Sequence, residues 1–546
     1  MLRTDPRELS ATAGLSSSAG RSVGQANRAA RRSEGSRTGR ILRGAASATR
    51  QCVRLGAFGL SLLAAALWGG MSNRVALGAE PDGLQTVQAM EQTLVKVIAQ
   101  AEPSVVAVAR VRKEQPGESL PLELRPDPLG RRLSAPSIAG PTDPDFIPNE
   151  YAAGVVIDRG GLVLTAHHVL APDSEYYVTT HQRRVYRATV KGADPRSDLA
   201  VLAIEADDLQ PIRWGDAAAV RKGQIVIALG NPYAIGRDGQ ASASWGIVAN
   251  LGRKSPPLGD EPESAGKRTL HQFGTLIQTD ARLNQGASGG ALLNLRGEMV
   301  GLIVALASTP GFEQAAGYAI PIDSMFRRVI DTLKQGREVE YGFLGIRPAN
   351  LRQQELAQGR RGVRVQNVVP GTPAERHGLR PDDLILAVGG VSVDRSDDLM
   401  LELGRMPVEA VARLHLLRGR DALDLDVTLA KFPVQGMKVV TVQPPDWRGL
   451  RIDYVTAVTE SPAWPAGARS VSMSDAVVVT EVQEGTPAWH AGLRPGMLIS
   501  HVGRVPTRTP REFQAAVTGK RTAVQVRLLS LGDQPSASTR TIGPES

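Results

Sequence analysis

One stretch of this chain occurs twice, and that repetition limits how the C-terminal part can fold. Gly371-Thr372-Pro373-Ala374, followed by Gly378-Leu379-Arg380-Pro381, recurs as Gly485-Thr486-Pro487-Ala488 and Gly492-Leu493-Arg494-Pro495, all at one constant offset. Each copy reads as a short helix with Thr at its cap, Pro in its first position and Gly at its end. A strand follows, Leu384–Val388 or Met497–Val502, and then a second helix. In the second copy Thr509-Pro510-Arg511-Glu512 forms a capping-box pattern. Two copies of a unit this long specify tandem small domains, because a solenoid needs shorter periods and more copies. The expected boundaries are 339–433 and 447–535. A linker at 434–446 carries Pro444-Pro445, and 536–546 reads as a disordered tail.

Upstream the pattern changes to short apolar runs: Gly154–Ile157, Leu162–Thr165, Tyr176–Thr180, Leu199–Ile204, Ile225–Leu229, Leu276–Thr279, Ala291–Asn294 and Met299–Ala305. Val105–Val111 adds another strand, and Leu295-Arg296-Gly297-Glu298 reads as a hairpin turn. Many short strands with few helices predict a mainly β fold, a barrel or a sandwich. Two helices frame it. Leu84–Ala101 places Val87, Met90, Leu94, Val97 and Ile98 on one face. Asp323–Gly336 is capped by Asp323, turns Met325, Val329, Ile330 and Leu333 inward, and ends at Gly336. Residues 116–148 hold eight prolines, too many for regular structure, and read as a long loop inside the domain.

The formal net charge of +9 suggests a nucleic-acid partner, but its location argues against that reading. Residues 1–54 hold eleven Arg, no Lys and three acids, which leaves +1 for everything else. The folded part carries no net attraction for phosphate. The Arg-rich arm reads as disordered. Residues 55–71 follow as an apolar run with Ser61 its one clearly polar side chain, flanked by Arg54 and Arg74. Its length lies between a secretory core and a short membrane span. The basic side stays in the cytoplasm and the rest is exported. Two readings of 55–78 fit: a signal peptide cleaved after Ala76-Leu77-Gly78, leaving Ala79 first, or an uncleaved anchor. A lone Cys, Cys52, excludes an intrachain disulfide framework and a cysteine-based zinc site.

Gly286-Ala287-Ser288-Gly289-Gly290 is the sharpest chemical signal. A serine nucleophile needs backbone N–H groups converging on the developing oxyanion, and glycines allow that backbone. Thr165-Ala166-His167-His168-Val169 puts histidine at a strand end, and Ser197-Asp198-Leu199-Ala200-Val201 puts an acid before another strand. The order His, Asp, Ser along an all-β chain is the chymotrypsin-type order. In that arrangement His168 takes the Ser288 proton and returns it to the leaving amine, and Asp198 fixes the imidazole tautomer. Gly286, Ala287 and Ser288 frame the oxyanion hole, with the N–H groups of Gly286 and Ser288 as donors. His167 is the competing base, and strand alternation lets only one of the two histidines face Ser288. The other histidines show no metal-ligand spacing and HExxH is absent, so neither a metal nor a cofactor is expected.

From about residue 84 to 535 the chain resembles HtrA/DegP (Do) family trypsin-like serine proteases. The resemblance rests on the TxxHV block, SDLAVL, Gly230-Asn231-Pro232, Ile277-Gln278-Thr279-Asp280-Ala281, GASGG and Gly317-Tyr318-Ala319-Ile320-Pro321. It implies a chymotrypsin-like protease domain of two six-stranded barrels over 79–338, with 116–148 a variable regulatory loop. It also implies that the two repeats are small α+β PDZ domains. In the first, Tyr341-Gly342-Phe343-Leu344-Gly345 resembles a loop that binds a terminal carboxylate. Trp447-Arg448-Gly449-Leu450 is a looser version, for which binding and purely packing roles both stand. Leu283, Leu302 and Val304 match segments that line the substrate pocket, with ordinary barrel core as the other reading. Arg253 to Phe273 matches an activation-loop region, with a solvated loop the other reading. The implied function is an exported, periplasmic serine endopeptidase of protein quality control and stress response. It cleaves unfolded or damaged proteins, binds peptide C-termini, and assembles as a homo-trimer or larger through the segment before the first barrel. Ala153, Ala166 and Ala287 stand where the family usually has Ser, Asn and Asn. They motivate a rival reading, an inert chaperone-like scaffold with PDZ domains.

Overall fold

The computed structural model describes residues 83–113, 150–231, 239–254, 269–284, 286–304, 317–444, 446–458, 475–529 and 538–544. The expectations for 1–78 and 116–148 lie outside the described residues.

Helix α1 (Gly83–Ala101) precedes the first barrel. Val97 and Ala101 are buried in the barrel core, and Leu94 and Ile98 pack against it. The predicted inward face fails in the first turns. Leu84 and Val87 are exposed, as is Val95, with no element of the described chain covering them. The first barrel is built from β1 (Val105–Arg112), β2 (Glu150–Val156), β3 (Leu162–Ala166), β4 (Ser174–Thr179), β5 (Val185–Asp194) and β6 (Leu199–Ile204). Their spatial order is β5-β4-β1-β2-β3-β6, and β6 pairs back onto β5 to close it. The second barrel closes in the order β10-β11-β12-β9-β8-β7. Its strands are β7 (Ile225–Gly230), β8 (Ser242–Arg253), β9 (Leu276–Thr279), β10 (Ala291–Leu293), β11 (Met299–Val304) and β12 (Gly317–Pro321). Closure pairs the first and last strands of each barrel.

The fully buried strands were legible as apolar runs. β5 and β8 were not, because polar residues interrupt both and much of β8 is exposed. Helix α2 (Ser324–Lys334) starts as expected, with the Asp323 carboxylate accepting from the Phe326 N–H at 3.0 Å. Its buried face packs on the core of the first barrel.

The first repeat forms a sheet in the spatial order Ile346–Ala349, Val363–Val368, Leu384–Val388, Val411–Arg418 and Asp421–Thr428. The helix Ser396–Arg405 lies against it and contributes Leu399 and Leu403 to its core. The second repeat follows the same plan, with Leu450–Tyr454, Val477–Val482, Leu498–Val502, Val524–Leu529 and Ser538–Ile542.

Three expectations are corrected. Within the expected tail, Ser538–Ile542 is an outer strand of the second repeat, with Ile542 fully buried in its core. The expected linker docks on the protease: Val439–Val440 pairs with β5, and Val434 and Met437 pack against the main core. Apolar side chains hold a segment whose prolines suggested a free connection. Thr372 and Thr486 occupy the cap positions but do not cap with their hydroxyls, which donate backward to the carbonyls of Val369 (2.6 Å) and Gln483 (2.5 Å).

The repeats meet at a buried charge. The Lys431 side chain is 4% exposed, and its ammonium lies 2.8 Å from Glu338, 2.8 Å from Asp453 and 3.3 Å from Glu340. Burial pulls its pKa down, but the three carboxylates outweigh this and the net shift is upward. Glu338 lies at the end of the protease, Glu340 at the start of the first repeat and Asp453 in the second, so one side chain ties both repeats to the protease boundary. Lys431→Ala strands carboxylates without their counter-charge and is expected to cost about 3 kcal/mol. Calorimetry should show the first thermal transition moving to lower temperature; an unchanged thermogram would contradict this role.

Candidate active site

β3 ends at Ala166, and His167–Val169 turn over as a short 3₁₀ segment, so strand alternation stops before the histidines. The two imidazoles still diverge. The His168 Nδ1–H donates to Asp198 Oδ2 at 2.8 Å, and the His168 backbone N–H donates to Asp198 Oδ1 at 2.9 Å. The Nδ1 bond fixes the tautomer and leaves Nε2 with its lone pair. His167 Nε2–H donates to the Met437 carbonyl at 2.8 Å and is held by the docked inter-repeat segment.

Asp198 has φ +56°, a left-handed conformation that Asp tolerates better than most residues. Its carbonyl accepts the His167 N–H at 2.9 Å, so backbone and side chain both grip the histidine turn. The preceding residues support it. Ser197 donates its N–H (2.8 Å) and hydroxyl (2.6 Å) to Asp194 Oδ2, which also accepts the Tyr341 hydroxyl. The Ser197 carbonyl accepts from His271 Nε2 at 3.0 Å, and the His271 Nδ1 accepts from the Thr275 hydroxyl at 2.8 Å.

These contacts set the electrostatics. Burial pulls the His168 pKa down, but the charge and hydrogen bond of Asp198, helped by Glu150, outweigh it and the net shift is upward. Burial pushes Asp198 up, and the charge and hydrogen bond of His168, with His271, reverse this to a net lowering. For His271 burial wins, and its pKa is lowered, which keeps it neutral.

Ser288 follows Gly286 (φ +92°) and precedes Gly289 (φ +86°). Gly289 has no room for a side chain: a Cβ would lie 2.1 Å from the Ala153 carbonyl oxygen and 2.4 Å from Thr165 Oγ1. The Ser288 carbonyl accepts the Ala153 N–H at 2.8 Å. The serine loop of the second barrel is thereby seated on β2 and β3, the strand that leads into His168.

Several expected site residues sit elsewhere than foreseen. The Ala287 N–H donates to the Asn284 carbonyl at 3.0 Å, which removes it as an oxyanion donor. Its methyl is buried in the second-barrel core beside Gly230. Leu302 and Val304 are 0% and 2% exposed within the barrel core, so packing is their role here. Leu283 stays half-buried against Gly317, the one of the three with surface left for a substrate. Ala153 and Ala166 are fully buried. Tyr341 is not part of the groove at the first repeat; it is fully buried on Asp194, and burial with the Asp194 charge pushes its pKa well up. Gly342, Phe343, Leu344 and Gly345 do line that groove, although the Gly342 N–H is engaged by the Met406 carbonyl at 2.9 Å. Of Arg253 to Phe273, residues 255–268 lie outside the described residues; Lys254 pairs with Asp397 of the first repeat, and Leu270 is buried. Sequence reasoning missed Asp194, Ser197 and His271 as supports. The first two adjoin Asp198 in Asp194-Pro195-Arg196-Ser197-Asp198, the one cue available.

This fold and this His–Asp arrangement define the class, a trypsin-like serine endopeptidase. Residues 152–302 match the trypsin-like peptidase domain family, and residues 342–429 and 478–528 each match a PDZ domain family. A probable periplasmic serine endoprotease DegP-like of Pseudomonas putida (strain W619) is 31% identical over 387 residues, 70% of this chain and 77% of that protein. One from Chlamydia trachomatis serovar D is 30% identical, covering 70% and 72%, and one from Marinomonas sp. (strain MWYL1) is 33% identical, covering 66% and 72%. Among solved structures, HtrA-type protease AlgW with tripeptide is 24% identical with TM-score 0.48, covering 64% of this chain and 98% of that chain. The chain belongs to the DegP-like serine endoprotease family, and it is a serine endopeptidase with two PDZ domains.

The raised pKa of His168 sets a pH dependence. For His168 as the proposed general base, which must be neutral to act, kcat/KM should fall as pH drops through a value above the ordinary ~6.5. Asp198→Asn removes both the tautomer lock and the source of the shift. It is expected to lower kcat by about 10⁴-fold, measured on a fluorogenic peptide across pH 5 to 9.

Proposed function

We propose that Ser288 is the nucleophile, His168 its general base and Asp198 the group that orients and charge-stabilises the imidazole. The observation that carries this is the two-point grip of Asp198 on His168, through Nδ1 and through the backbone N–H. With Nδ1–H held by the carboxylate, Nε2 is the nitrogen that takes the Ser288 proton as the hydroxyl attacks a peptide carbonyl. The imidazolium then protonates the leaving amine, and water, activated by the same imidazole, releases the acyl group. Gly286 and Ser288 supply the oxyanion donors. The Gly286 N–H makes no hydrogen bond among the described residues, which supports its role.

The substrates are unfolded or damaged proteins outside the cytoplasm. The periplasmic description of the relatives and the apolar run at 55–71 support this location. No helix among the described residues is long and apolar enough to cross a membrane, and 55–71 is not among them. Whether that segment is cleaved or retained as an anchor, it directs the protease domain, 79–338, to the outer side. The PDZ domains, 339–433 and 447–535 with the strand Ser538–Ile542 added, engage peptide or C-terminal segments. The protein works as a homo-trimer or larger; the uncovered Leu84, Val87 and Val95 on α1 support assembly through that helix.

Ser288→Ala should abolish casein hydrolysis and fluorophosphonate labelling, while His168→Ala should abolish labelling with Ser288 intact. Casein cleavage persisting in Ser288→Ala refutes the assigned nucleophile, and absent labelling of the unaltered enzyme would favour the inert scaffold. Sedimentation that finds only monomer would contradict the assembly.

A further inference from the structure

The first PDZ domain has a groove with one free wall. Ile346–Ala349 is the outer strand of its sheet, and Met400 and Leu403 of the facing helix line the other side. The loop from Gly342 closes one end of a partly open pocket. An extended peptide adds to such an edge as a further strand, its last side chain entering the apolar end.

One residue lining that end comes from outside the domain. Arg196 belongs to the protease, in the turn that carries Asp198, and is 1% exposed. Its guanidinium lies 3.5 Å from the Phe432 ring centroid and 5.2 Å from that of Tyr341. The rings accommodate its charge but accept no ordinary hydrogen bond, and its buried Nε and Nη1 have no partner. Among the described residues it forms no ion pair, and Asp194 Oδ2 is occupied by Ser197 and Tyr341. Burial pulls its pKa down to about 10, despite the attraction of Tyr341 and Asp194, so it is charged at neutral pH. A buried cation with two unmatched donors is a costly arrangement that an incoming carboxylate would relieve. The groove is otherwise apolar where Leu403 and Phe432 line it, so the charge is local to the position where a peptide ends.

We propose that Arg196 completes the carboxylate site of the first PDZ domain, pairing with the free C-terminus of a peptide whose last side chain is apolar. This rests on reading residues 342–345 as a peptide-carboxylate loop. Arg196 supplies the counter-charge and loop amides fix the orientation. The ligand is therefore held by both domains at once. Its carboxylate contacts a residue two positions from Asp198, which makes occupancy of the groove and the seating of the triad acid parts of one structure.

The test uses the full chain carrying Ser288→Ala, so that peptides survive. Fluorescein-labelled decapeptides ending in Leu, Val or Phe, each as free acid and as C-terminal amide, are titrated by anisotropy. Free acids should bind at least tenfold more tightly than their amides, and Arg196→Gln should bring the two within threefold. Acid preference undiminished in Arg196→Gln overturns the assignment while leaving the groove reading intact. Failure of every free acid to bind overturns both, and triad activity on casein is scored separately. A crystal structure of Ser288→Ala with a bound free acid decides without altering Arg196. A carboxylate within about 3.2 Å of the guanidinium supports the proposal, and one held by backbone amides alone overturns it.

Discussion

A buried carboxylate that takes no part in the chemistry holds this molecule together at its centre. Asp194 Oδ2 receives the Ser197 N–H, the Ser197 hydroxyl and the Tyr341 hydroxyl. The first two shape the turn that places Asp198 in a left-handed conformation, aimed at His168. The third ties that turn to the residue where the first PDZ domain begins. Buried polar groups of this kind are stabilising only when every partner is present. The same carboxylate thus holds Asp198, the proposed triad acid, in position and attaches the domain behind it. His271, kept neutral by burial and stacked on Phe326 of α2 at 5.9 Å, braces the turn from the other side.

The two barrels share one side-chain core, and the serine loop adds a backbone contact between them. The absence of a Cβ at Gly289 lets the serine loop press onto Ala153 and Thr165, and the Ala153 N–H bonds the Ser288 carbonyl. Ala153, Ala166 and Ala287 look like losses when set against the family pattern. In the fold they are buried where small apolar side chains fit, and the His168–Asp198 contact involves none of them.

The repeats show how one backbone solution survives different side chains. Gly345 (φ +89°) and Gly449 (φ +78°) each lie where a Cβ would meet Thr372 or Thr486 at 2.2–2.3 Å. The backbone N–H groups of Ala374 and Ala488 bond the carbonyls of Leu344 and Arg448 in parallel fashion. Leu344 packs into its core, whereas Arg448 turns inward to the carbonyls of Ile542, Gly543, Lys520 and Thr522. That guanidinium anchors the last strand, Ser538–Ile542, a segment too polar to be recognised as one.

The linear order of residues was enough to establish the tandem repeat, the mainly β protease and the three candidate triad members. These depend on local rules: apolar runs make buried strands, Gly–Thr–Pro patterns start short helices, and a Gly-flanked serine marks a candidate nucleophile. Half-exposed strands such as β8 escaped because solvent tolerates any residue on their outer faces. The supports of the triad escaped for a different reason. Tyr341 reaches Asp194 and Lys431 reaches Asp453 only after distant segments have packed, and no local pattern encodes a partner that far along the chain. The docking of Val439–Val440 on β5, the removal of Ala287 from the oxyanion donors and the burial of Arg196 beside a PDZ groove were likewise decided by tertiary structure. Hydrogen-bond and charge satisfaction in a dry interior depends on which groups finally lie within reach of one another.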